Sequence, residues 1–246
     1  MKLFKLELKR MIRSRILQLS LLLLILIGIL GIVLYNVYYG QRNDSRYILL
    51  SLYNSYTQFT YLILGFVFIS TFCKDFENGV YAWYKQMGYS FQYVSITKLI
   101  VLLLTVIPLL NIVFFGSQIV SQNSDYNYYV LCITCVNFNV IYIIILSLFI
   151  SVVFKKVIQS TLIMYGIYVV FNGINLPFYG IVNPADSNSI SSYYLCKILN
   201  PLQDHLSLSK VSLSDSALCT ISILLPLMWI MILLIATTII IKHRKA

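Results

Sequence analysis

Six long stretches of this sequence contain no Asp, Glu, Lys, Arg or His, and they occupy most of the chain. They are residues 16–41, 47–73, 99–124, 126–154, 157–185 and 216–241. Each exceeds the roughly 20 apolar residues that a helix needs to cross a hydrocarbon core about 30 Å thick. Backbone groups in lipid must pair within their own segment, so helices are expected. Strands of an outer-membrane barrel would be shorter and would alternate in polarity.

The composition agrees with a membrane protein. Hydrophobic residues make up 59% of the chain and charged residues only 11%, whereas a soluble domain carries about 25% charged residues. We therefore predict an all-α, polytopic membrane protein with six transmembrane helices. The whole chain, residues 1–246, would form a single transmembrane domain, with little left over for a folded domain outside the membrane.

The positions of Lys and Arg predict the orientation of the chain. With the N-terminus inside and six spans, only Arg42, Arg46, Lys197 and Lys210 of the 18 basic residues fall outside. Basic residues prefer cytoplasmic loops, so both termini are predicted to be cytoplasmic. The net charge of +10 is then a topology signal, and we expect no nucleic-acid partner. The first apolar stretch is too long for a cleaved signal peptide and is expected to be retained.

Two cytoplasmic segments and one outer segment lie between or before the predicted spans. In residues 1–15, one helical face would carry Phe4, Leu8 and Met11 and the other face basic residues, a pattern typical of a helix lying in the inner leaflet. A plain basic flank explains the segment equally well. Residues 182–215 contain Pro184 and Pro201 and would form an outer connection whose role stays open.

A short helix is predicted in the cytoplasmic loop of residues 74–90. Asp75 and Glu77 suit its first turn and Lys85 its last, since the helix dipole favours this order of charges. Gly88 can end it. The face made by Phe76, Val80, Tyr84 and Met87 would be mainly apolar.

Several kinds of chemistry are missing from the sequence. It has no P-loop of the form G-x-x-x-x-G-K-[ST], so we expect this chain not to hydrolyse ATP and not to be an enzyme. Its two histidines, His205 and His243, lie outside the six stretches, which leaves an intramembrane protease or zinc centre without ligands. The uncharged spans argue against a proton- or ion-coupled transporter or channel. No metal site is predicted.

Two spans carry stripes of neutral polar residues. In the second span the stripe consists of Asn54, Thr57, Gln58 and Tyr61, and in the fifth of Thr161, Tyr165, Tyr168, Asn172 and Asn175. Polar groups in lipid must face another helix or water. The stripes could hold helices together, or they could line a pathway for an amphipathic substrate, and both interpretations stay open.

The Asp-Phe-Glu-Asn-Gly segment at Asp75–Gly79, with Lys98 near the next span, resembles the permease subunits of ABC-2 type ABC transporters. The six spans, basic start and long outer connection match that layout over nearly the whole chain. The resemblance implies the fold of an ABC-2 (type V) exporter. Residues 1–15 would be its elbow helix, and residues 74–90 would hold the coupling helix, which docks in a groove of a separate ATPase. The implied coupling residues are Asp75, Phe76, Glu77, Asn78, Gly79, Val80, Tyr84, Lys85 and Met87.

The resemblance also implies partners. Two permease units, either two copies or a copy and a paralogue, would pair near spans two and five, which carry the polar stripes. ATP and Mg²⁺ would bind the ATPase, and this chain would need no cofactor. Small permeases of this kind occur in low-GC Gram-positive bacteria, where they export lantibiotics, other antimicrobial peptides or phenol-soluble modulins. We therefore expect an exporter subunit in the cytoplasmic membrane, contacting lipids and moving peptide or lipophilic cargo. The alternative is a non-transporting sensor or assembly partner that binds another cytoplasmic protein.

Overall fold

The computed structural model describes residues 2–39, 45–121, 126–181 and 215–243, and over these ranges every regular element is an α-helix. The helices are α1 Lys2–Ile12, α2 Arg15–Tyr39, α3 Ser45–Glu77, α4 Val80–Gln86, α5 Phe91–Ser121, α6 Tyr126–Phe154, α7 Val157–Ile181 and α8 Asp215–His243. This confirms the predicted all-α class. Most of the predicted outer connection, residues 182–214, lies outside the described residues.

Each of the six uncharged stretches corresponds to one long helix of 25 to 33 residues. Among the described residues, α2, α3, α5 and α6 each contain an apolar segment long enough to cross a membrane. The parts of α7 and α8 with described side chains add the shorter apolar segments Val157–Val169 and Leu227–Ile241. The chain is a polytopic membrane protein.

The centre of the bundle is formed by α3 and α6. α3 packs against α2, α5, α6 and α7, and α6 also packs against α8. Within the apolar segments, 61% of the residues of α3 and 72% of those of α6 are buried, against 28% in α2 and in α5. The two outer helices instead expose large aliphatic side chains such as Leu19 and Ile112. Side chains of this kind suit contact with lipid, which is as apolar as they are.

The basic N-terminal segment forms the helix α1, which packs against α5. Its buried residues are Leu3, Glu7 and Met11, while Phe4 and Leu8 are only partly buried. The buried face is therefore centred one residue away from the predicted one, because Glu7 points into the protein. That α1 lies in the inner leaflet stays a prediction.

The prediction that Asp75 and Glu77 begin the short helix is wrong. α3 continues through both residues and ends at Glu77, and α4 begins only at Val80. Between them Gly79 has a φ of +66°, a left-handed conformation that glycine adopts without a steric penalty. The two carboxylates make contacts with other helices, described below, and these contacts override their preference for a first turn.

The prediction that Gly88 ends the short helix is confirmed. Gly88 has a φ of +84°. The Gly88 N–H donates to the Lys85 carbonyl at 3.0 Å, and the Tyr89 N–H donates to the Tyr84 carbonyl at 3.0 Å. This pair of hydrogen bonds is the Schellman pattern, which satisfies carbonyls at the end of a helix. The chain can then turn directly into α5.

Candidate functional site

Four charged side chains from three helices meet at the end of the bundle that carries α4. Glu7 and Arg10 come from α1, Asp75 from α3 and Lys98 from α5. Arg10 forms ion pairs with both acids, and Lys98 forms an ion pair with Asp75. Glu7, Asp75 and Lys98 are 0% exposed. We call these four residues the charge cluster.

Arg10 approaches Asp75 through both ends of its guanidinium group. Nη1 donates to Oδ2 at 3.1 Å and Nη2 donates to Oδ1. This two-bond arrangement fixes the planes of the two groups relative to each other. Nη1 also donates to Glu7 Oε1 at 3.4 Å. Two acids and two bases balance each other here, which is what makes burial of so much charge tolerable.

The charge cluster also holds the short helix α4. The Tyr84 hydroxyl donates to Glu7 Oε1, and the Lys98 ammonium lies 4.9 Å from the centre of the Tyr81 ring, within the range of a cation–π contact. Burial raises the pKa of both the Tyr81 and the Tyr84 phenol, so both stay protonated at neutral pH. Helices α1, α3, α4 and α5 are therefore joined at one place.

Aromatic rings pack around the same place. The centre of the Phe76 ring lies 4.4 Å from that of Tyr81 and 5.4 Å from that of Phe91, and Tyr81 and Phe91 are 4.6 Å apart. An open groove of about 600 Å³ lies beside them, between α4 and the start of α5. It is lined by Tyr81, Ala82, Lys85, Gly88, Tyr89, Ser90 and Phe91.

The predicted coupling residues divide into an inner and an outer group. Asp75 and Tyr84 are buried, and Phe76 and Val80 are half-buried. The exposed residues of this segment are Glu77, Asn78, Gly79, Lys85 and Met87, together with Ala82, Trp83 and Gln86, which were not among the predicted coupling residues. We call Ala82, Trp83, Lys85, Gln86 and Met87 the α4 surface. The inner group anchors the segment, and the α4 surface is free to meet another molecule.

Glu77 contacts α7 of the same chain. Its Oε1 accepts a hydrogen bond from the Val157 N–H at 2.9 Å, in the first turn of α7. One turn further along, the Cys73 thiol donates to the Ser160 hydroxyl at 3.2 Å. The end of α3 and the start of α7 are thus paired through polar groups.

The described residues of the two polar stripes also join α3 to α7. The Tyr61 hydroxyl of α3 donates to the Met164 carbonyl at 3.1 Å, and the Tyr165 hydroxyl of α7 donates to the Leu62 carbonyl at 2.8 Å. The rings of Tyr61 and Tyr168 stack with their centres 4.8 Å apart. These contacts support the helix-packing interpretation for these three tyrosines.

The remaining stripe residues add no evidence for either interpretation. Thr161 is half-buried, and its hydroxyl has no hydrogen-bond partner among the described residues. The side chains of Asn54, Thr57, Gln58, Asn172 and Asn175 lie outside the described residues. That the stripes line a substrate pathway or an interface between two permease units stays a prediction.

Glu7 and Arg10 were not predicted from the sequence as members of a site. One signal was available, because Glu7 is the only acid among residues 1–15 and has a basic residue three positions later. Its spacing from Leu3 and Met11 places it between two apolar residues on one helical face. An isolated acid at such a position indicates a buried partner.

The model of the peptide export permease protein YydJ family matches residues 4–245 of the chain. The match includes the charge cluster, the α4 surface and all six long helices. No curated protein matches the chain.

Proposed function

Since the chain belongs to the YydJ family of peptide export permeases, we propose that it is the membrane subunit of an ATP-driven exporter of amphipathic or hydrophobic peptides. A separate ATPase, which binds ATP and Mg²⁺, would dock on the α4 surface. Family membership makes the chain a transporter permease; the ATPase, the cargo and the mechanism of coupling are what we propose.

The observation that carries the proposal is the anchoring of α4. A helix of seven residues is too short to be stable alone in water, yet this one is held by buried contacts from Tyr84 to Glu7 and from Tyr81 to Lys98. A force applied to α4 therefore reaches α1, α3 and α5 through the charge cluster. A docking element that transmits motion into a bundle needs this property.

The chemistry of the α4 surface suits a protein partner. Trp83 is 46% exposed and Met87 47% exposed, and large side chains of this type, Trp above all, dominate protein–protein interfaces. Lys85 lies on the same surface, and Lys74, Lys155 and Lys156 are also exposed. The expected ATPase surface therefore has an apolar pocket for Trp83 and carboxylates around it.

The sequence favours cargo peptides that carry little charge. The six long stretches contain no Asp, Glu, Lys, Arg or His, so a charged substrate would find no counter-ion along them. We place the chain in a bacterial cytoplasmic membrane with both termini inside, paired with a second copy or a paralogue. The positive-inside distribution of Lys and Arg supports this orientation.

The experiment is purification of the tagged chain, expressed with its neighbouring genes, in a mild detergent. We expect a stoichiometric soluble ATPase to co-purify with the wild type and to be lost with Trp83→Ala combined with Lys85→Glu. Ile112→Ala, which shortens a side chain that is 67% exposed on α5, is the matched control and should retain the ATPase. A chain that purifies without any ATPase would favour the sensor or assembly role instead.

A further inference from the structure

The start of α7 has no capping side chain of its own. The helix begins at Val157 and is preceded by Lys155, with a φ of +58°, and Lys156. The ammonium group of a lysine side chain cannot accept a hydrogen bond, and the preferred capping residues are Ser, Thr, Asp and Asn. The first N–H groups of a helix have no partner within the helix. Glu77, 80 positions earlier in the chain, supplies an acceptor to Val157 at 2.9 Å.

The charge of Glu77 suits the same place. A carboxylate is stabilised beside the positive end of a helix dipole. The neighbouring exposed side chains are basic: Lys74 lies one turn before Glu77 on α3, and Lys155 and Lys156 directly precede α7. An ATPase surface that complements these lysines would be acidic, and it would repel a carboxylate. Electrostatics therefore favour a role for Glu77 inside the chain.

Helices α3 and α7 also contact each other further along their lengths. They run antiparallel, so that Glu77 and Cys73 meet the first turn of α7, while Tyr61 and Leu62 meet its second and third turns. The helices also approach closely at Gly65, where an added Cβ would lie 3.1 Å from the Met164 Cε. Motion at the cytoplasmic end of α3 would therefore carry α7 with it.

We infer that Glu77 is a positioning residue that couples α7 to the α4 segment by capping α7. It is the last residue of α3 and stands two positions before Gly79, where the chain turns into α4. A displacement of α4 would then reach α7 as well as α3, α1 and α5. This inference rests on the proposed function, and it replaces the expected contact between Glu77 and the ATPase with a contact inside the chain.

Val157→Pro distinguishes capping of α7 by Glu77 from a direct contact between Glu77 and the ATPase. Proline is favoured at the first position of a helix and lacks an N–H, so this variant removes the donor without changing Glu77. Val157→Ala keeps the N–H and is the matched control. Glu77→Ala removes the acceptor, and Glu77→Gln keeps an acceptor oxygen while removing the charge.

The readouts are ATPase co-purification and peptide transport per ATP hydrolysed in reconstituted vesicles. We expect all four variants to retain the ATPase. Glu77→Ala and Val157→Pro should both lower transport per ATP, and by the same factor, because each removes the same hydrogen bond between α3 and α7. Val157→Ala should stay close to the wild type, and Glu77→Gln should fall between the wild type and Glu77→Ala, because it keeps the acceptor but loses the charge beside the helix dipole. A change of stability alone would lower the yield of complex but would leave transport per ATP unchanged.

Hydrogen exchange in lipid nanodiscs tests the cap without the ATPase. Amides in the first turn of α7 should exchange about fivefold faster in Glu77→Ala than in the wild type, and Glu77→Gln should lie between the two. Equal exchange in all three would overturn the inference.

Two further outcomes would also overturn it, in distinguishable ways. If Glu77→Ala loses the ATPase while Val157→Pro behaves like the wild type, Glu77 is an ATPase contact and the proposed function stands. If the wild-type chain brings down no ATPase at all, the proposed function and the coupling role of Glu77 fall together.

Discussion

The Tyr84 hydroxyl of α4 donates a hydrogen bond to the Glu7 carboxylate of α1, although the two residues are 77 positions apart. Both side chains are buried, at 2% and 0% exposure. This bond connects the short helix that carries the α4 surface to the first helix of the chain. It closes a continuous set of contacts that runs from Tyr84 through Glu7 and Arg10 to Asp75 and Lys98.

Tyr84→Phe should destabilise the protein. The variant keeps the ring and leaves a Glu7 oxygen that has lost a donor in a buried place, which costs about 1–3 kcal/mol. The loss is measured by thermal unfolding in detergent. Tyr93→Phe is the control, because Tyr93 is 46% exposed and its hydroxyl can bond to water. A Tyr84→Phe protein as stable as the Tyr93→Phe protein would contradict the account of the cluster.

Asp75 should be the most sensitive member of the charge cluster. Asp75→Asn deprives both Arg10 and Lys98 of their shared partner, and breaking a buried ion pair from one side costs about 3–5 kcal/mol. Lys98→Met removes one cation and leaves Asp75 bonded to Arg10, so it should cost less.

The double variant Asp75→Asn with Lys98→Met tests whether these two residues interact directly. It should be less destabilised than the sum of the single variants, because the two residues interact directly. Additive losses of unfolding free energy in this double-mutant cycle would show that the pair is not coupled.

Gly28→Ala should destabilise the bundle, and Gly166→Ala should not. A Cβ at Gly28 would lie 2.8 Å from Val113 Cγ1 and would collide with the Tyr56 hydroxyl, which donates to the Leu24 carbonyl at 3.0 Å. Overpacking of this kind costs about 1–3 kcal/mol. At Gly166 no atom lies within 4 Å of an added Cβ. Thermal unfolding of the two variants side by side checks the difference, and equal effects would argue against close packing of α2, α3 and α5.

Ser160→Cys should form a disulfide with the native Cys73 under mild oxidation. The Cys73 sulfur and the Ser160 hydroxyl oxygen are 3.2 Å apart. Proteolysis in the loop between α6 and α7 separates residue 73 from residue 160. Only the cross-linked protein then keeps its two fragments together on a non-reducing gel. Thr161→Cys, on the neighbouring position, is the control and should not cross-link. If α3 and α7 move as one unit, the cross-linked protein should transport as well as the reduced one.

The positions of the spans could be predicted from the sequence because lipid imposes one simple requirement, a long run without charge. Residues 47–73 and 99–124 lie within α3 and largely within α5, respectively. Gly88 was also predictable as a helix end, since the left-handed backbone there favours glycine over other residues. These features depend on local sequence alone.

The charge cluster could not be predicted, because it depends on which helices meet. Asp75 and Glu77 are good first-turn residues by local preference, but Arg10, Lys98 and the start of α7 provide stronger partners. Tyr84 and Met87 share a predicted face, yet Tyr84 is buried and Met87 exposed. The short helix packs on its neighbours through Tyr81 and Tyr84, and no periodicity within the loop contains that information.

The most direct measurement of the central claim is ATP-dependent peptide movement in vesicles that contain the purified chain and its co-purified ATPase. We expect an amphipathic peptide to cross the membrane only when ATP and Mg²⁺ are supplied on the side of the α4 surface. Trp83→Ala should reduce this movement, while Ile112→Ala should not. Peptide movement at the same rate without ATP, or with the ATPase left out, would contradict the central claim.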